Sequence, residues 1–150
     1  YLACDPATNA LIFPHLGWAG YLKDWSGPTE GERPTGYIII LGNKEIRSSF
    51  GCDHGIAAQS MLLGATEQGL GGCIIASVRR DALREVLTIP LKYAILLVLA
   101  LGKPKETVVI DRVGVDGDIK YWRDSNSVHH VPKRSLDEII VSEAVASSST

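Results

Sequence analysis

Apolar positions in this chain gather into short continuous runs separated by glycine- and proline-rich punctuation. The runs "YIIIL" at 37–41 and "YAILLVLALG" at 93–102 contain almost no polar residue. Runs of that kind predict strands covered on both faces. "CIIA" at 73–76 predicts a shorter strand, and "YLACDP" predicts another at the start of the chain. The stretch 53–68 instead has helical character. Its residues Ile56, Ala57, Ala58, Met61, Leu62, Leu63 and Ala65 go nearly all the way round, which predicts a buried helix and not an amphipathic surface one. Asp53 is its expected N-cap and Gly69 its stop. The small residues Ala57, Ala58, Gly64 and Ala65 would let a neighbour approach closely, a second subunit included.

A further helix is expected over "VRRDALREVL", capped by Ser77, with Leu83, Val86 and Leu87 on one face. "SLDEIIVSEA" opens with the Ser135–Glu138 spacing of a capping box. "IFPHLGWAGYLKDW" reads as a short helix or an irregular segment around Trp18 to Trp25, and 26–36 reads as a loop. "VVIDRV", "GVDGD" and "IKYW" suit a hairpin or an edge arm. The pattern predicts one α+β domain over 1–150, with 142–150 as a disordered tail.

Composition narrows the function classes. A length of 150 residues suits one domain with a real core. The net charge of −2 gives no general electrostatic case for nucleic acid or an anionic membrane. The longest apolar run is too short to span a bilayer as a helix. The three cysteines, Cys4, Cys52 and Cys73, are odd in number and widely spaced, which fits a reducing cytoplasm better than a disulfide framework.

The stretch "EQGLGGCIIAS", 67–77, raises the question of a phosphate loop. A dinucleotide fingerprint needs a glycine at 74, where isoleucine stands, and it follows a strand, whereas these glycines follow a helix. Two readings stay open. The glycines can let backbone amides of the following strand approach a flat ligand, or they can form a Schellman-type helix ending and a tight turn. Lys133 and Arg134, just before a helix start, can hold a phosphate or can be a solvated basic turn. His129 and His130 point to opposite sides of an extended chain, so they do not readily share a metal. Lys103, Trp18 and Trp25 are weaker candidates, and no catalytic triad or metal motif is visible.

Four ordered blocks carry a resemblance: "GERPTGYIIILG", "DHGIAAQSMLLGATEQGLGGCIIAS", "IPLKYAILLVLALGKPKE" and "IKYWRDSNSVHHVPKRSLDEII". Together they resemble the nitroreductase family of flavoproteins. The resemblance implies an α+β fold with a central, mostly antiparallel sheet flanked by helices. It implies a homodimer holding FMN, with the 54–68 helix at its centre. It also implies ping-pong transfer of electrons from NAD(P)H to nitro compounds, quinones or a related acceptor. Carried onto this chain, the flavin ring meets the backbone of Cys73, Ile74, Ile75 and Ala76, and the phosphate meets Lys133 and Arg134. No side chain is expected to act as a nucleophile, because the flavin carries the redox chemistry. Members of the family begin with a few tens of residues more, including an Arg/Ser-rich phosphate motif and an Asn-x-Gln-Pro-like segment. Neither is in this chain, so the expectation is a nitroreductase-like fold lacking its N-terminal segment. The alternative function is a non-catalytic remnant of the fold, a dimer that binds a small ligand or regulates.

Overall fold

The computed structural model describes residues 1–142. The expected tail at 142–150 therefore lies, from 143 on, outside the described residues. Contacts divide the chain into two compact units. The larger holds 1–20 and 24–105, and the smaller holds 21–23 and the chain from Glu106 onward.

The larger unit is built on a four-stranded sheet in the order β1-β2-β4-β3, with every neighbouring pair antiparallel. Its strands are β1 (Leu2–Ala3), β2 (Gly36–Asn43), β3 (Gly71–Ile75) and β4 (Tyr93–Gly102). The two long apolar runs became the two central strands because only a strand with a neighbour on each side can use so many apolar residues. One face of the sheet packs on α1 (Pro6–Ile12), a 3₁₀ turn at Phe13–His15, and α3 (Arg80–Val86). The main core lies there: Ala3, Ile12, Tyr37, Ile39, Ile75, Leu83, Ile95, Val98 and Ala100 are buried together. The other face carries α2 (Asp53–Glu67), whose Leu62 reaches Gly72 of β3.

The fold class agrees with the expectation of a mostly antiparallel sheet flanked by helices. Local details differ. α2 is helical as expected, but within the chain only Ala58 is fully buried, while Ile56 and Leu63 are each 62% exposed. Its apolar positions run all the way round, so one sheet face cannot cover them all. Asp53 is the first helical residue and pairs with Arg47 at 3.3 Å, leaving Cys52 as N-cap without a side-chain bond. Ser77 does not cap α3. Its carbonyl accepts from the Gly17 amide at 2.7 Å, the Val78 amide turns back to the Ala76 carbonyl at 3.0 Å, and the helix starts only at Arg80.

The smaller unit has a three-stranded sheet in the order β5-β7-β6. It comprises β5 (Val108–Arg112), β6 (Trp122–Arg123) and β7 (His129–Lys133), followed by the single turn α4 (Leu136–Ile139). β5 runs parallel to β7 and β6 antiparallel to it, so the expected hairpin or edge arm is a small mixed sheet.

Candidate functional site

The glycine-rich stretch has a definite mechanical role. Gly69 adopts φ +72° just after the α2 C-cap, Gln68. The Leu70 amide donates to the Ala65 carbonyl and the Gly69 amide to the Thr66 carbonyl, both at 2.9 Å. That bond pair is a Schellman motif. Gly71 and Gly72 have a different reason. A Cβ at Gly71 would lie 2.8 Å from the Pro104 ring, and one at Gly72 would lie 2.5 Å from the Ala100 carbonyl oxygen. These glycines end a helix and allow a close strand pairing; they do not form a phosphate loop.

That pairing delivers β3 to the edge of the sheet. Among the described residues only β4 pairs with it, so alternate backbone amides and carbonyls of β3 point away from the ladder. Cys73 is exposed, Ile74 is 41% exposed, and Ala76, just past the strand, is exposed too. Ile75 differs: its side chain is 5% exposed and belongs to the core, so only its backbone is available. The strand end is held firmly. Arg80 donates to the Ala76 carbonyl at 3.1 Å, to Ile95 at 2.9 Å and to Leu96 at 3.2 Å. A single guanidinium thus ties the exit of β3 to its neighbour β4 through charge-assisted bonds. The Arg79 amide adds a bond to the His15 carbonyl at 2.9 Å.

Lys133 and Arg134 lie in the smaller unit, so the two expected parts of the site are described separately. Lys133 ends β7 and Arg134 follows it; both are exposed, and neither forms a salt bridge among the described residues. The capping box is present. Glu138 accepts from the Ser135 amide at 2.7 Å and from its hydroxyl at 3.0 Å. The Ser135 amide, chiefly, holds the Glu138 carboxyl below the usual range, with Arg112 and Arg134 adding to it. One of the orphan amides expected to support a phosphate is therefore already taken by Glu138. Arg112, across the ladder from Lys133, donates to the Ser135 hydroxyl at 3.3 Å and adds a third cation to this corner.

The remaining candidates resolve into structural parts. His129 lies 3.1 Å from Glu106, while His130 lies 2.8 Å from Asp111 and stacks on Trp122 at 4.2 Å. The two imidazoles use separate partners, as an extended strand requires. Trp18 packs on Phe13 at 5.3 Å and against the core. The sequence reading missed a cavity of about 440 Å³, lined by residues of α1, the 30–35 loop and Tyr37. Its sequence signal is thin, because α1 and that loop are far apart in sequence and α1 carries no motif.

Residues 31–103 match the family model of the nitroreductase family. No curated protein matches the chain. Three solved structures are similar to it. A nitroreductase family protein from Clostridium novyi NT is 21% identical with a TM-score of 0.52, over 69% of this chain and 60% of that one. An FMN-dependent nitroreductase from Clostridium difficile R20291 is 23% identical with a TM-score of 0.54, over 71% and 62%. A nitroreductase family protein from Clostridium difficile 630 is 14% identical with a TM-score of 0.60, over 97% and 73%. At these identities the likeness shows the fold. The chain spans about three fifths of the length of the first two structures.

Proposed function

We propose, from a chain that carries the nitroreductase fold and matches that family over residues 31–103, that it is an FMN-dependent oxidoreductase. One observation carries the reading: the exposed edge of β3, clamped by Arg80, presents backbone amides beside bare glycines. That arrangement fits a flat ring with hydrogen-bond acceptors along one side. An FMN bound there would take electrons from NAD(P)H and pass them in turn to a nitro compound, a quinone or a related acceptor.

The chain's own part is binding and positioning. The backbone of Cys73, Ile74, Ile75 and Ala76 holds the ring edge. In the smaller unit, Lys133 and Arg134 are the cations assigned to the phosphate, both exposed and without a salt bridge among the described residues. No side chain is assigned a catalytic role. The uncovered apolar positions of α2, Ile56 and Leu63 among them, support a homodimer through that helix. Among the described residues, no helix is long and apolar enough to cross a membrane, and the three cysteines form no disulfide. A cytoplasmic setting belongs to the same proposal.

The phosphate assignment has its own test. Replacing both Lys133 and Arg134 by Ala should weaken FMN binding at least tenfold, since each removes a charge-assisted contact. A fluorescence titration reads this directly. An unchanged binding curve would remove both residues from the site. The choice of electron donor is read by mixing FMN-loaded protein with NADH or NADPH under anaerobic conditions. Bleaching of the flavin by either supports the oxidoreductase reading, and bleaching by neither counts against it.

A further inference from the structure

The central strand β4 carries a bulge beside the point where β3 leaves it. Pairing with β2 steps from Leu97 opposite Ile40 to Ile95 opposite Leu41, so Leu96 is the extra residue. On its other side β4 has no strand partner here, because the ladder with β3 stops at Val98 opposite Ile75. A regular strand turns successive carbonyls to opposite sides, and a bulge breaks that alternation. The neighbouring carbonyls of Ile95 and Leu96 both reach the Arg80 guanidinium, at 2.9 and 3.2 Å. Arg80 thus stands where β3 would have continued and pairs carbonyls that its departure leaves without a strand.

Arg80 Nη2 donates both to Leu96 and, at 3.1 Å, to the Ala76 carbonyl, so one nitrogen bridges β4 and the exit of β3. The Val78 amide donates to the same Ala76 oxygen at 3.0 Å. Both lone pairs of that carbonyl are then engaged, which fixes the plane of the peptide after Ala76. Arg84, one turn further along α3, offers an internal comparison. It also donates to three carbonyls, those of Ile89, Pro90 and Tyr93, at 3.1, 2.9 and 2.7 Å. These belong to the connection from α3 into β4, so Arg84 secures that connection while Arg80 bridges to β3. Neither arginine forms a salt bridge among the described residues, so each spends its donors on main chain.

We propose, resting on the flavin reading, that Arg80 is a positioning residue of that site: through the Ala76 carbonyl and the bulge of β4 it fixes the backbone that meets the ring. Lysine cannot replace it. An ammonium is a point charge, whereas the planar guanidinium fork reaches the carbonyls of Ala76, Ile95 and Leu96 together. Arg80 serves the ring end of the ligand alone. Its loss therefore weakens riboflavin, which has no phosphate, by the same factor as FMN.

The test compares the full parent chain with Arg80→Lys, Arg80→Gln and, as a control, Arg84→Lys. Hydrogen exchange is followed first, with no flavin present. Both Arg80 variants should exchange the β3 amides that bond to β4 about tenfold faster, the size of a lost charge-assisted bond, with the β2–β4 centre unchanged. Arg84→Lys should leave β3 as in the parent. Fluorescence titrations with riboflavin and with FMN follow. Each Arg80 variant should weaken both ligands about fivefold and by the same factor, while Arg84→Lys stays at the parent values. Arg80→Lys carries the test if Arg80→Gln does not fold. Unchanged exchange in β3 would overturn the inference. So would full rescue by lysine, a loss confined to FMN, or Arg80 variants that bind both flavins as the parent does. A parent chain that binds neither flavin removes the flavin reading itself, and the positioning role with it, so the two failures are told apart by the parent.

Discussion

Tyr37 and Gly72 show how single atoms govern the central sheet. Tyr37 sits in one cross-strand row with Ala3 on β1, Ala100 on β4 and, beyond Ala100, Cys73 on β3. Its small neighbours leave room for a large ring in the core, and burial raises its phenol to about 12. A tyrosine in the unfolded chain ionises near 10. The contribution of the buried phenol is therefore intact below pH 10 and is lost as pH rises from 10 through the folded value. By pH 12 the loss is about 2 kcal/mol. Urea unfolding at pH 9 and pH 12 should show the parent losing that much more stability than Tyr37→Phe. Equal losses would place the phenol in contact with water. Gly72 has the opposite constraint, a lack of room. Gly72→Ala places a methyl 2.5 Å from the Ala100 carbonyl oxygen and 2.6 Å from Leu101, so β3 must shift. Destabilisation of about 1–3 kcal/mol is expected. A midpoint equal to that of the parent would mean that β3 lies further from β4.

At the scale of elements, legibility followed local completeness. β4 was readable to the residue, because ten apolar positions in a row leave one physical solution. β2 was readable at its centre, and pairing to β4 extends it to Gly36 and Asn43. α1 was missed although Asp5 and Pro6 carry a helix start; Asp5 caps the Thr8 amide at 2.8 Å. A seven-residue helix that buries only Ile12 fully has no apolar stripe to read. β7 was missed for another reason. It contains Pro132 and two histidines, and only partners distant in sequence, β5 and β6, make it a strand. For the candidate site, the glycines were legible as a helix stop, whereas the edge position of β3 comes from sheet order and no local pattern encodes it. α2 was legible as a helix, but its exposure was not. That exposure gives a prediction at this scale. A Cβ added at Gly64 meets nothing within 4 Å among the described residues, and the position is exposed on the helix surface. Gly64→Trp should convert the proposed dimer to folded monomer in size-exclusion chromatography. A dimer that survives would move the interface away from this part of α2.

At the scale of the whole molecule, a fold is joined to a proposed cofactor. The fold rests on the antiparallel sheet, its helices and the likeness to solved nitroreductases. The cofactor rests on the proposed reading of the β3 edge and of the Lys133–Arg134 pair. The most direct measurement is an absorbance spectrum of the purified chain after incubation with excess FMN and desalting. Retained flavin bands at about one FMN per chain are the expected result. A colourless protein that elutes folded would contradict it, and would leave a nitroreductase fold that works without its flavin.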